Sequence, residues 1–494
     1  MNRRSMFLAS AVAAALAVAS ALAANAETFS LQLKRLETVT DRSTGPPANY
    51  MFRGLMGQRF QRQIGVEVPG APARADEEEF AKVITKEPSY NSKFPFRGVA
   101  TLGTQKFGFV LDTDKPAAEA DGDGNPPAVQ HYNRLHFDLN GNGDLTDDPV
   151  IEALAPDNAR YPRGYASFSF PRVDLTVEVD GAEIDYAFFF SGSSRSLSID
   201  GKQQYQYVYA SLNAAAYREG QIMVGGQKLR IVVTDFNSNG RFDDLAGPDP
   251  DIRYSDGSVY LRPGDMIFVD PQPQHGFSYD VTMSDTQHHL ARTIPIDGRF
   301  YDLEITPAGD QLTVMPSPRE VGHVSHPDHV YRGLVYGDLG VLKIASDDEG
   351  RARLPEGSWR LHSYTIDRTG YEPTDEQTDA SPSLLQRLAG AMWGGGQPAR
   401  TGPTRVSARM TGEQAAFEVR AGETAELKFG PPFTPKVTAA YLQGDQLSLD
   451  LSLIGVGGEV CSSLMVDGAR PGKPAFTITD AQGKIVQTGT FEYG

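Results

Sequence analysis

The chain has 494 residues, a formal net charge of −17, 50 glycines, 33 prolines and one cysteine. That charge excludes nucleic acid and anionic lipid as partners, since both demand basic patches. The glycine and proline content disfavours long helices and predicts a turn-rich, mainly β protein of several sandwich-like modules. A lone thiol forms no intramolecular bridge, so there is no disulfide framework; Cys461, after the apolar run 454–460, reads as a small buried hydrophobe.

In chain order, residues 1–26 have the form of a secretory signal peptide. Arg3 and Arg4 give a basic start, Met6 to Leu22 is apolar and alanine-rich, and Ala24-Asn25-Ala26 is a small-x-small cleavage site. No second stretch of about 18 apolar residues follows, so no integral membrane segment is expected in the mature chain. The expected location is secreted or periplasmic. Residues 27–90 are mixed: the alternation from Thr28 to Lys34 predicts one strand, and Asp76 to Ile84 a short helix.

From 91 to 318 the pattern is regular. Strands are expected at 98–102, 107–111 and 135–137, then at 231–233, 259–261, 266–269, 277–281, 300–305 and 311–314. Ser191-Gly192-Ser193-Ser194, directly after Phe188 to Phe190, reads as a turn.

Two acidic loops interrupt this β region, Asp138 to Asp148 and Asp235 to Asp244, each preceded by an apolar strand. The pattern suggests one strand-to-loop unit used twice. Oxygen donors stand at alternate positions: Asp138, Asn140 and Asn142 in the first loop, Asp235, Asn237 and Asn239 in the second. Gly143 and Gly240 fall where the backbone must turn sharply, and the carbonyls of Asp144 and Arg241 supply the next donor. Closing carboxylates come from Asp147 or Asp148 and from Asp243 or Asp244. A hard cation taking about 6–8 oxygen ligands requires such a set, and calcium fits better than magnesium, whose small shell prefers to keep its water. A plain hairpin turn needs only an Asn-Gly pair and has no use for the other donors.

Both loops resemble the calcium loops of EF-hands and dockerins at positions one, three, five and six. They depart at position twelve, where the family has a bidentate glutamate and this chain has Pro149 and Ala246. Flanking strands and Pro149, Pro248 and Pro250 also rule out the paired helices of a sensor. The resemblance therefore implies rigid strand-loop calcium sites. The further acidic run 121–125 ends in Pro126-Pro127, lacks a closing carboxylate and reads as a solvated loop.

Residues 319–372 contain Asp347-Asp-Glu-Gly350 and Leu354-Pro355-Glu-Gly357-Ser-Trp359-Arg-Leu361. This resembles the prealbumin-like β-sandwich of carboxypeptidase regulatory domains, which implies a binding or spacing module. His323, His326 and His329 with Asp328 are the ligand types of a zinc site, but they fall in a proline-containing stretch that need not bring the rings together. Residues 373–403 read as a linker with a short helix carrying Leu384, Leu385, Leu388, Met392 and Trp393. The alternation of 404–494 predicts an immunoglobulin-like module.

No nucleophile elbow, zinc-protease, Walker or dinucleotide motif is present. Two functions stay open. The first is a non-catalytic calcium-binding protein whose modules bind a glycan, a cell-surface component or a protein. The second is a calcium-stabilised hydrolase of an extracellular polymer, whose paired acids need leave no local spacing.

Overall fold

The computed structural model describes residues 26–37, 56–64, 75–115, 129–154, 165–199, 203–254, 257–271, 278, 280–369, 403–412, 414–441 and 447–493. The signal-peptide core, the 121–125 acidic run and the helix expected around 384–393 lie outside them. The fold is mainly β, with antiparallel sheets and no closed barrel among the described residues. The described helices include none long and apolar enough to cross a membrane.

The chain divides into two compact units, the first comprising residues 1–246 and 263–316, the second 247–262 and 317–494. In chain order the first unit opens with β1 (Glu27–Ser30), β2 (Gln32–Arg35), β3 (Gln58–Ile64) and α1 (Ala75–Val83). Next are β4 (Phe96–Leu102), β5 (Gln105–Asp112), β6 (Arg134–Phe137), β7 (Ile151–Glu152), β8 (Tyr165–Ser169) and β9 (Val173–Val179). β10 (Ala182–Ile199), β11 (Gln203–Ala214), β12 (Ala216–Val224) and β13 (Gln227–Thr234) follow. β14 (Gly247–Arg253) and β15 (Val259–Arg262) belong to the second unit. The first resumes with β16 (Met266–Val269), β17 (Gln287–His289), β18 (Thr293–Ile296), β19 (Arg299–Ile305) and β20 (Gln311–Pro316).

Four sheets result, ordered β1-β20-β19-β18, β3-β11-β10-β8 with β9 also on β10, β17-β16-β13-β12-β2, and β4-β5-β6-β7. β1, β2 and β3 are thus woven into the sheets of the β region and do not stand apart. The expected single strand 28–34 is broken at Leu31, which is buried and donates its N–H to Asp310 O at 2.7 Å, so its two halves enter different sheets. Residues 191–194 are not a turn. β10 runs straight through them, because Ser191 to Arg195 are paired on both sides, with Ser169 to Tyr165 and with Ser211 to Tyr207. Of the strand expected at 277–281, residues 277 and 279 lie outside the described residues, and its end is corrected: Val281–Met283 form a 3-10 turn capped by the Asp280 carboxylate.

Burial follows the period of two where one sheet face meets solvent, as in β9, whose residues alternate buried and exposed. β5 is buried without interruption from Phe107 to Asp112, so both of its faces are covered. Its Phe109 lies 4.8 Å from the Phe60 ring and 4.9 Å from Phe190, both edge-on, and parallel to Phe137 at 6.3 Å. Gly98 is glycine because a β-carbon there would fall on the Phe109 ring. α1 covers the other face of β5 through Phe80, which packs with Ile84, Val110 and Leu145.

The second unit continues with β21 (Val321–Ser325), β22 (Tyr331–Gly337), β23 (Gly340–Ala345), β24 (Arg351–Pro355) and β25 (Gly357–Asp367). After the undescribed segment come β26 (Arg405–Arg409), β27 (Phe417–Val419), β28 (Thr424–Glu426), β29 (Thr434–Tyr441), β30 (Leu447–Ile454), β31 (Val460–Met465), β32 (Ala475–Thr479) and β33 (Ile485–Thr490). The regions 319–372 and 404–494, anticipated as separate modules, share one sheet here: β25 pairs with β26, and β26 with β31. The Leu354–Trp359 pattern forms the β24–β25 connection, with Trp359 1% exposed and its Nε1 donating to Pro355 O at 3.0 Å.

Truncating the hub of the aromatic cluster, Phe109→Ala, is expected to cost about 3–5 kcal/mol. Urea denaturation checks this, and an unchanged midpoint would contradict the packing described.

Candidate metal centre

The two acidic loops follow β6 and β13 and share four hydrogen bonds. Asp138 Oδ1 accepts the N–H of Asn142 at 3.0 Å and its Oδ2 that of Gly143 at 3.0 Å. Asp235 Oδ1 accepts from Asn239 at 3.1 Å and its Oδ2 from Gly240 at 2.7 Å. The position-five asparagine then accepts the N–H of position seven, Asp144 on Asn142 Oδ1 at 2.7 Å and Arg241 on Asn239 Oδ1 at 2.9 Å. Its amide nitrogen reaches the position-ten carboxylate, Asn142 to Asp147 Oδ2 at 2.8 Å and Asn239 to Asp244 Oδ2 at 2.6 Å.

The backbones match as well. Positions four and six are left-handed in both loops: Gly141 at φ 69° and Gly143 at 78°, Ser238 at 60° and Gly240 at 82°. A serine tolerates that conformation at a cost, and the fold holds it: Ser238 is wholly buried and its Oγ accepts Ala214 N–H at 2.9 Å.

Position eight supplies an anchor that the ligand pattern does not reveal. Leu145 is 1% exposed and Phe242 0% exposed. Their N–H groups donate to carbonyls outside the loop, Leu145 to Lys86 O and Phe242 to Pro307 O, each at 3.0 Å. An apolar residue two places after the turn glycine was the available sequence signal.

Geometry also separates the closing candidates. Asp243 is held by the Arg241 guanidinium, which also grips Asp180, so its carboxylate is spoken for; Asp244, which receives Asn237 Nδ2 at 2.9 Å and Asn239 Nδ2 at 2.6 Å, faces the loop interior. In the first loop Asp147 occupies the matching place, and Asp148 lies close enough to Asp138, Asp147 and Asp144 for their charges to act on it. The Asp144 carboxylate turns outward to Lys86 Nζ at 2.7 Å and Thr146, which leaves its carbonyl as the inward donor. Asn140 Oδ1 accepts Asn142 N–H at 3.0 Å.

Two acceptors in these loops are buried and unpartnered: Asp148 Oδ2 in the first and Asn237 Oδ1 in the second. Buried polar atoms ordinarily find partners, and both oxygens can only accept, the amide oxygen always and the carboxylate oxygen when ionised. Burial raises the pKa of Asp138 and of Asp148, the latter to about 6, and raises that of Asp235. The Asp144 carboxyl, paired with Lys86, is held down at about 2. Each loop thus concentrates negative charge on its inner side while Lys86 and Arg241 neutralise the outer carboxylates.

Asp265 is the loop-bracing residue most clearly missed. Wholly buried one residue before β16, it accepts Phe236 N–H on Oδ1 at 3.0 Å and Asp244 N–H on Oδ2 at 2.9 Å, pinning both ends of the second loop. Burial, reinforced by Asp235 and Asp244, drives its pKa well up. Tyr186, 0% exposed in β10, donates its hydroxyl to Asp235 Oδ2 at 2.6 Å. Neither residue has a local spacing to the loop, so no sequence signal marked them.

Among the described residues no group of three or more His, Cys, Asp or Glu side chains is gathered as a metal-ligand set. The donors of the loops are a mixture of carboxylates, amide oxygens and main-chain carbonyls, the chemistry of a hard cation and not of zinc. The histidine stretch is ordered by strand pairing, with His323 between Arg353 and Thr424 in β21. His326 stacks on Phe429 at 3.9 Å, and its ring nitrogens are both engaged, Nε2 with Phe429 O and Nδ1 with Asp328 N–H. Cys461 is only half-buried, and burial pushes its thiol up to about 11, away from reactive thiolate.

Comparison with family models, with curated proteins and with solved structures finds no match to the chain.

Asp265→Ala leaves one buried and one part-buried N–H group unpaired and is expected to lower stability by about 1–3 kcal/mol for the buried group and less for the other; a thermal melt within a degree of wild type would contradict the bracing role. Burial lowers the pKa of His326 below that of the unfolded chain, about 6.5. Its contribution to stability is therefore complete above that pH and is lost as the pH falls. Between pH 7.5 and 5 the wild type is expected to lose more stability to urea than His326→Phe, and equal losses would refute this.

Proposed function

We propose that this chain is an exported, calcium-binding β protein, non-catalytic, whose two units present surfaces to a glycan, a cell-surface component or a protein. The observation that carries the reading is the duplicated hydrogen-bond scaffold, in which backbone amides hold the position-one aspartate with its carboxylate toward the position-ten aspartate. A plain turn gains nothing by crowding carboxylates, since like charges in a partly buried loop oppose folding. A divalent ion reverses the sign of that cost and gives Asp148 Oδ2 and Asn237 Oδ1 the partner they lack.

In this reading Asp138, Asn140, Asn142, Asp147, Asp148 and the Asp144 carbonyl hold the first ion. Asp235, Asn237, Asn239, Asp244 and the Arg241 carbonyl hold the second. Asp243 is withdrawn by Arg241. Two amides in each set reduce the ligand charge, which suits the modest affinities, about 10⁻⁴–10⁻³ M, of extracellular calcium modules. The ions serve as staples in a chain without disulfides. The amino-terminal signal supports export, and the missing catalytic motifs favour a binding role over a hydrolytic one.

Calorimetric titration of the mature chain with calcium chloride is expected to reveal two sites, one of which disappears in Asp138→Ala and the other in Asp235→Ala. At free calcium about one hundred times the dissociation constant each site adds about 2.7 kcal/mol to the folded state, so chelator lowers the melting temperature. A melt insensitive to chelator, with no heat of binding, would refute the reading.

A further inference from the structure

Both loops rest on one hairpin, β4–β5, and we propose that this hairpin couples them, so that calcium in either loop raises the affinity of the other. The inference rests on the calcium reading above and adds regulation to it.

On one flank, Asp138 N–H donates to Gly108 O of β5 at 3.0 Å. The left-handed corner at Gly141 lies against Phe107, 3.6 Å from where its β-carbon would be, and Phe107 stacks with Phe137 at 6.0 Å. On the other flank, the hairpin turn donates Gly103 N–H to Asn239 O at 2.6 Å. Gln58 of β3 clasps the same junction: its Nε2 donates to Thr101 O and Ser238 O, both at 2.7 Å, and its Oε1 accepts Thr101 N–H at 3.0 Å. The residues contacted include the left-handed corners at Gly141 in one loop and Ser238 in the other, each set between the ligands at positions three and five, and Asn239, the position-five ligand itself.

Loading the first loop fixes Asp138 and the 141 corner, hence the Phe107–Gly108 segment. Leu102 pairs with Gln105 across a two-residue turn, so a fixed β5 also fixes Gly103 and Thr101. The second loop then binds its ion with its corner already ordered and loses less conformational freedom on binding. Linkage requires the same factor in the reverse direction.

The test is calcium titration calorimetry on the full mature chain as wild type, Asp138→Ala, Asp235→Ala, Gln58→Ala and the doubles Gln58→Ala/Asp138→Ala and Gln58→Ala/Asp235→Ala, with far-UV circular dichroism in EDTA to verify the fold; Asp138→Asn and Asp235→Asn replace any alanine variant that fails it. The product of the two wild-type binding constants is expected to exceed the product of the single constants from the two loop variants by about fivefold or more. Gln58→Ala, which touches no ligand, keeps both sites, and its ratio, formed with the single constants of its two double variants, falls toward one. A wild-type ratio of one, or a ratio unmoved by Gln58→Ala, overturns the coupling while calcium binding stands. Absence of calcium uptake by the wild type overturns the underlying reading and the coupling with it.

Discussion

The constraint on which the account depends is a carboxylate held by two successive backbone amides. Asp138 and Asp235 each terminate an apolar strand, and each spends both oxygens on the N–H groups of positions five and six. That forces the chain through two left-handed corners and returns a second aspartate toward the first. The rest of the first unit is arranged to keep those carboxylates where water cannot relieve them. Tyr186 and Asp265 close in on the second loop, and Leu145 and Phe242 tie the loops down on apolar cores. Charge crowded in this way is a cost to the fold unless it serves a ligand.

The two loops solve the same problem with different neighbours. The first leans on the segment after α1, where Thr85 and Lys86 donate N–H groups to Gly143 O and Lys86 adds an ion pair to Asp144. The second leans on Asp265 and on the β4–β5 turn. Such divergence around a common scaffold fits one unit used twice, because the bonds within the loop depend only on residues close in sequence, whereas the supports depend on what each copy packs against.

Much of this was legible in the sequence. The apolar run of β5 was read as a strand and the donor spacing of the loops is local enough to read directly, whereas the alternation of β9, which records one-sided burial, was passed over. The break at Leu31 was not legible, because it depends on Asp310, nor was the continuity of β10 through Ser191–Ser194, where two partner strands outweigh the weak strand preference of serine and glycine. Asp243 and Asp244 were indistinguishable until Arg241 was seen to hold the first. Asp265 and Tyr186 reach the site through tertiary structure alone. The division into units was hidden as well, because β14 and β15 leave the first unit mid-chain and β25 pairs with β26 across a long intervening segment.

The most direct measurement is an anomalous difference map from crystals grown with calcium. The account predicts one peak in each loop, about 2.3–2.6 Å from oxygens of Asp138 and Asp147 in the first and of Asp235 and Asp244 in the second, with the amide nitrogens of Asn142 and Asn239 displaced from those aspartates. Maps without a peak in either loop, and with both amides still donating to Asp147 and Asp244, would contradict it.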